Sequence, residues 1–509
     1  MSNKYPFHVR VLIPPDRAEP VIERAIMRKD EKNIAYNPPP IRRLPPELLA
    51  QIFFESVSVG DLDNLNPTAC PLVLSHVSRR WRAIALSTPL LWTTFTFFER
   101  GWGWSRVSIH RAECLLNMLI ARSGQLPLSF RFSSAFDTSA HPVLSRIVEL
   151  SHRWRNVWLC TPYSAHPEPL SLPDLEYLVL EGQNIFLGEP QRTFSLAPRL
   201  THLSLQKSLS LTRSFSFPWS QIRHLHLKGN IISGDEYATM LQQATNLESL
   251  LIENDEIIYP NPTSIVCTSI KSLTILNTAS RDASALLTSF VLPNLTHLNV
   301  KFWKPSKRVM DAAVQLLDCS GSSVTHFTCR DLDDAQLVQL LEKMPRLTHV
   351  DLRGSPIGPS LIERLNIGRN PRTQTQMEIV SPSGSHILDL DPESAPSGSD
   401  DESISSAQSQ LLSSSDIVPL PPYLIPKLES LLLADNSLTP DLNDLMDAII
   451  SRIRIPHEFK STGFISSLKQ VRVLFRKEVE LAAMSQFKKL SEAEWGKCVM
   501  VGLTEHGPA

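Results

Sequence analysis

Arg199-Leu200-Thr201-His202-Leu203-Ser204-Leu205 is one copy of a unit that recurs along this chain. Further copies stand at 174–180 (DLEYLVL), 221–227 (QIRHLHL), 246–252 (NLESLLI), 269–275 (SIKSLTI), 294–300 (NLTHLNV), 323–329 (SVTHFTC), 346–352 (RLTHVDL) and 427–433 (KLESLLL). Their first apolar residues are spaced by 25, 22, 25, 23, 25, 29, 23 and finally 81 residues. RWRNVWL (153–159) and SLKQVRV (467–473) read as degenerate units at either end. Apolar residues in alternation over so short a run predict a strand. The leucines of Leu-x-x-Leu-x-Leu then point into a core, and its third and fifth positions face out.

Between the units lie stretches with helical periodicity: GDEYATMLQQA, DASALLTSF, SKRVMDAAVQLLD, DAQLVQLLEK and LNDLMDAIISRI. Each unit is therefore one strand plus one helix, and HRAECLLNMLIARSG followed by LPLSFRF (126–132) begins the stack. This pattern resembles leucine-rich repeats. Strands pack about 4.8 Å apart and helices roughly 8–10 Å apart, so such a stack must curve with its strands inside. The expectation is a solenoid whose concave sheet is the binding surface. The turn-closing asparagine of regular repeats stands only at Asn230 and Asn436, with Asn254 and Asn277 displaced by one.

A different pattern precedes the repeats. In IRRLPPELLAQIFFES (41–56), Pro45 and Pro46 open a helix and Glu47 sits in its first turn, where the helix dipole favours an anion. Leu48 with Ile52, and Leu49 with Phe53, form two apolar rows. After a loop from about Ser58 to Pro71, LVLSHVSRRWRAIAL reads as one helix with Val73, Val77 and Trp81 on a stripe and Arg79, Arg80 and Arg82 pointing elsewhere. Ser87 or Thr88 then caps a third short helix carrying Leu90, Leu91, Trp92 and Phe95. This three-helix module resembles the F-box, through Leu44-Pro45, Glu47-Leu48-Leu49, Ile52-Phe53, Val77, Arg80-Trp81-Arg82 and Leu91-Trp92. It departs from the family in its longer first loop and in Ser78, where many members carry cysteine. The resemblance implies that Leu44, Pro45, Leu48, Leu49, Ile52 and Phe53 bind the adaptor subunit of a cullin–RING ubiquitin ligase. Val77, Trp81 and Trp92 are either part of that contact or the module's own core.

Composition narrows the remaining possibilities. Fifty Lys and Arg against 52 Asp and Glu give a net charge of −2, which argues against an electrostatic grip on nucleic acid or a membrane surface. Glycine is scarce at 18 residues, and no phosphate-loop, dinucleotide, HExxH or GxSxG motif occurs, so a non-catalytic protein without cofactor is expected. Seven scattered cysteines without a CxxC pair, and no apolar leader, point to the cytoplasm and/or nucleus. The sequon at Asn294 falls within a core strand and is read as chance.

The outward third position holds His202, His224, His297, His326 and His349, and the fifth holds His226, Asn299 and Asp351. Three readings stay open for these histidines: a metal site, which lacks a carboxylate or cysteine cluster; a pH-sensitive surface; or a habit of Thr-His on half-exposed strands. All eight residues are candidates for target binding. Residues 369–422 hold eight acidic residues against two arginines, and 381–416 hold 13 serines; disorder is expected there. Ser399, before Asp400-Asp401-Glu402, is a candidate phosphoacceptor, though a passive loop also fits.

The expected organisation is a partly helical segment (1–40), the F-box (41–98), a linker with degenerate first repeats (99–170), repeats (171–368), the insertion (369–422) and C-terminal repeats with a cap (423–509). The fold class is α/β, a small helical module followed by a curved solenoid. An F-box before loose repeats resembles large fungal families of ubiquitin-ligase substrate-recognition subunits. The partners so implied are the adaptor, the cullin scaffold through it, and a target protein of unknown identity. The alternative is an interaction scaffold whose drifted F-box engages no ligase.

Overall fold

The computed structural model describes residues 40–58, 71–98, 106–134, 141–160, 169–182, 192–207, 216–258, 264–303, 305–320, 323–366, 425, 427–434, 442–453, 466–475 and 499–503. Residues 1–39 of the segment expected to be partly helical, the insertion with Ser399, and Asn436 lie outside them. The chain divides into two compact units, one ending at Leu91 and the other taking up from Trp92.

The first unit contains α1 (Pro46–Ser58), α2 (Leu72–Val77) and α3 (Arg79–Leu86), with a single helical turn at Pro40–Arg43 before them. The expected single helix over 72–86 is broken at Ser78, whose backbone is extended (φ −158°, ψ 165°). Its hydroxyl accepts a hydrogen bond from the Trp81 N–H at 3.1 Å, so serine ends one helix by capping the next. The third element is a 3-10 turn, Pro89–Trp92, rather than an α-helix. Phe95, expected on that helix, lies in a strand of the second unit.

The second unit is built on one fourteen-stranded sheet with its strands in chain order. They are β1 (Thr94–Phe98), β2 (Leu128–Ser133), β3 (Trp154–Cys160), β4 (Tyr177–Glu181), β5 (His202–Gln206), β6 (His224–Lys228), β7 (Ser249–Glu253), β8 (Ser272–Ala279), β9 (His297–Trp303), β10 (His326–Arg330), β11 (His349–Arg353), β12 (Ser430–Ala434), β13 (Gln470–Phe475) and β14 (Val499–Leu503). Every pairing is parallel, which is consistent with the expected solenoid. All nine full units and both degenerate ones supply strands. The end strands β1 and β14 lack the Leu-x-x-Leu-x-Leu spacing and were not foreseen.

Register carries the repeat into three dimensions. Leu203, Leu225, Leu250, Leu273, Leu298, Phe327, Val350, Leu431 and Val471 are direct neighbours on successive strands. None is more than 3% exposed, so a continuous apolar column runs through the sheet. The helices α4 (Arg106–Ser123), α5 (Pro142–Glu149), α6 (Gly234–Gln243), α7 (Ser280–Ser289), α8 (Lys307–Cys319), α9 (Asp334–Leu341), α10 (Pro359–Leu365) and α11 (Leu442–Ile453) lie between strands in the chain. From α7 to α11 each helix packs against the next.

A left-handed residue also recurs at or near the ends of β5 to β8, β10 and β11. Lys207, Gly229, Asn254, Asn277, Asp331 and Gly354 all adopt positive φ between 54° and 68°. This explains the displaced asparagines, because Asn tolerates the left-handed region better than most residues. Asn230 plays another part: it is buried, and its Nδ2 donates to the Leu205 carbonyl of the previous strand at 2.9 Å.

Candidate interaction surfaces

Helix α1 packs on α3, and the two apolar rows read from the sequence separate by burial. Leu49 and Phe53 are buried, Phe53 meeting the Trp81 ring at 4.7 Å between centroids. Leu48 and Ile52, one turn apart, are 47% and 48% exposed. Val77 is also exposed, Trp81 half-buried, Leu44 half-buried and Pro45 exposed. Trp92 is fully buried, with the Arg122 guanidinium 4.3 Å over its ring, so it serves the core of the second unit. Of the eleven large apolar residues recorded as exposed among those described, eight lie between Ile41 and Leu90, concentrating uncovered apolar surface in this small module.

The arginines expected merely to point away are structural ties. Arg80 donates through Nη1 to the Arg42 carbonyl at 2.6 Å and through Nη2 to the Leu44 carbonyl. It thereby fixes the segment carrying Leu44 and Pro45 into α1. Arg82 Nε donates to the Ser75 carbonyl at 2.9 Å, joining α3 to α2. An arginine beside a tryptophan gave no sequence signal of either role, because the acceptors are backbone carbonyls.

The outward face of the sheet brings the predicted histidines into register. His297, His326 and His349 stack at 4.2 Å between ring centroids, as do His202 and His224. Thr296, Thr325 and Thr348 explain the repeated Thr-His. Each hydroxyl donates to a carbonyl of the preceding unit (Lys271, Thr296 and Thr325) and lies 2.9 Å from Nδ1 of the next residue's imidazole. With the hydroxyl proton committed to the carbonyl, only the tautomer protonated on Nδ1 completes the second bond, and that tautomer leaves Nε2 as an acceptor. Parallel stacked rings direct their lone pairs alongside one another instead of toward a common point. Among the described residues, no group of three or more His, Cys, Asp or Glu side chains is placed to hold a metal ion.

Burial lowers the pKa of His326, with help from its neighbours His297 and His349; burial likewise lowers His202, with help from His224. His226 stands apart from these stacks. Its Nδ1 lies 3.2 Å from Ser204 Oγ and its Nε2 3.7 Å from Glu253, and burial lowers its pKa although Glu253 opposes the shift. Asn299 and Asp351 occupy the fifth-position row with Thr328 between them. Asp351 is paired with Arg353 at 2.8 Å. A hollow of about 260 Å³ on this face is lined by His326, His349, Asp351, Ser430, Gln470 and Arg472, among others.

A separate buried polar cluster lies beyond the end of β7. Asp255 accepts from the Tyr237 hydroxyl at 2.6 Å and from the Asn230 backbone N–H at 2.8 Å. Burial nonetheless raises its carboxyl to about 7.

Comparison with known families locates one match: the F-box-like family pattern fits residues 41–97. No curated protein matches the chain. The matched segment contains α1, α2, α3 and the 3-10 turn, and so coincides with the stretch where the exposed apolar residues concentrate. An F-box-like domain points in general to an adaptor role in ubiquitin ligation, and such domains generally bind the ligase adaptor subunit.

Proposed function

We propose that this chain is the substrate-recognition subunit of a cullin–RING ubiquitin ligase, with its F-box-like domain as premise. The observation that carries the reading is the exposure of Leu48 and Ile52 on α1, over a module whose own core is closed by Leu49, Phe53 and Trp81. A helix of a soluble module that leaves two stacked apolar side chains uncovered has a partner for them. The adaptor is that partner, and the cullin scaffold joins through it.

The parallel sheet is read as a leucine-rich-repeat solenoid, and its outward face as the target-binding surface. Leu48, Ile52, Val77, Leu44 and Pro45 are the adaptor contacts on this reading, while Leu49 and Phe53 set their position from the core. His202, His224, His297, His326, His349 and Asn299 offer polar contacts to the target. The chain performs no chemistry itself. It raises the effective concentration of target beside the ligase-bound ubiquitin carrier in the cytoplasm or nucleus.

Co-expression with adaptor and cullin is the direct test. A stoichiometric three-protein complex on size exclusion supports the reading. A chain that elutes alone returns it to the class of interaction scaffolds with a drifted F-box.

A further inference from the structure

Charge is distributed unevenly over the outward face of the sheet. On β4–β7 the outward cation is Lys228, paired with Glu253 at 3.1 Å, and Lys207 in the turn after β5 is paired with Glu181 at 2.7 Å. On β9–β13 the outward cations are Lys301, Arg330, Arg353 and Arg472. Among the described residues of these strands and those directly following them, the carboxylates are Asp351 within the face and Asp331 after β10. Asp351 is held by Arg353. Lys301, Arg330 and Arg472 have no ion-pair partner among the described residues; the Arg472 guanidinium lies 2.8 and 3.0 Å from the side-chain amide of Gln470.

Register sharpens this asymmetry. Lys301, Arg330 and Arg353 are direct neighbours on three successive strands. Like charges placed opposite one another on adjoining strands destabilise a sheet. Lys301 and Arg330, with no ion-pair partner among the described residues, give surface that an anionic partner would stabilise, in a chain whose net charge is −2. The adjoining rows add hydrogen-bonding groups: Asn299 and Thr328, then the stacked imidazoles.

We propose that the β9–β13 face is the target-docking site and that it takes an acidic peptide segment of the target protein, with Lys301, Arg330, Arg353 and Arg472 as its charge contacts. This rests on the target-recognition reading and gives the target a chemistry. Acidic stretches on the chain itself, within 369–422, are competitors for the same cations.

The test is fluorescence anisotropy of a labelled twelve-residue polyglutamate, with polylysine of the same length as counter-probe, on the full-length chain. Saturable polyglutamate binding that weakens with salt, absent for polylysine, is expected. Lys301→Gln with Arg330→Gln should weaken it on the order of tenfold or more. The charge-matched pair Lys343→Gln with Arg364→Gln, on the helical side, should leave it unchanged. Equal loss in both pairs overturns the proposal, as does absence of binding in both the full chain and a chain lacking 369–422. Binding that appears only after that deletion overturns the assignment to the target, because the chain's own segment is then the occupant. None of these readings involves the adaptor, so their failure is separable from failure of the ligase reading.

Discussion

Single side chains decide much of this molecule's behaviour, and Asp255 is the clearest case. Its carboxyl is raised to about 7 by burial, against an ordinary value near 4. A folded state that holds a proton the unfolded state releases loses stability as pH rises from about 4 through 7. Asp255→Asn should remove that slope, on the order of 4 kcal/mol across the window, in urea titrations at a series of pH values. His202, His226 and His326 act in the opposite sense, since depressed imidazoles favour folding above their ordinary value and lose that contribution on acidification. Arg80 makes a second prediction at this scale. Arg80→Met should weaken adaptor binding about tenfold while costing only about 1 kcal/mol of stability, because it orients Leu44 and Pro45 and is itself exposed. The sequence announced Trp81 and its arginine neighbours as a motif, but not that Arg80 bonds carbonyls 36 to 38 residues away. Contacts to backbone leave no trace in residue type.

At the scale of elements, two ties show how neighbouring units are held. Asp334, in the first turn of α9, accepts from the backbone N–H groups of Gly358, Ser360 and Leu361 at the start of α10. A Cβ on Gly358 would fall 2.3 Å from the Asp334 carboxyl carbon, so Gly358→Ala should displace that cap and cost about 1–3 kcal/mol in thermal unfolding. Arg452 on α11 is buried and donates to the Leu365 carbonyl at 2.7 Å and the Ile425 carbonyl at 2.9 Å. These two residues stand on either side of 367–424. Arg452 therefore joins the chain across its longest departure from the repeat, and Arg452→Leu should cost about 3 kcal/mol by leaving buried carbonyls unsatisfied. Strands were legible because Leu-x-x-Leu-x-Leu encodes both period and burial. The broken helix at Ser78 was less so, since its apolar stripe continues unbroken from Val73 to Trp81 while capping interrupts the backbone.

Across the whole molecule, the two units follow different logic. In the second, each strand from β1 to β13 supplies at least two buried apolar side chains to a core that extends by repetition, and the outward rows remain available for polar and charged groups. In the first, a small bundle buries Leu49 and Phe53 and leaves Leu48 and Ile52 outside. The F-box resemblance named the right stretch but treated both apolar rows alike. Periodicity places residues on a helix face; it does not say which of two adjacent rows the bundle covers. Trp92 falls within the matched stretch, and of the two roles its spacing left open, burial excludes a surface contact: its ring lies under Arg122.

Adaptor binding is the central claim, and isothermal titration of purified adaptor into the full-length chain measures it most directly. Leu48→Asp and Ile52→Asp are the partners for comparison, each checked by circular dichroism and thermal melting. The account predicts saturable one-to-one binding by the wild-type chain. It also predicts losses of about a hundredfold or more in folded variants, because each puts a charge into a dry contact. No binding by the wild type, or folded variants that bind as tightly as the wild type, would contradict it.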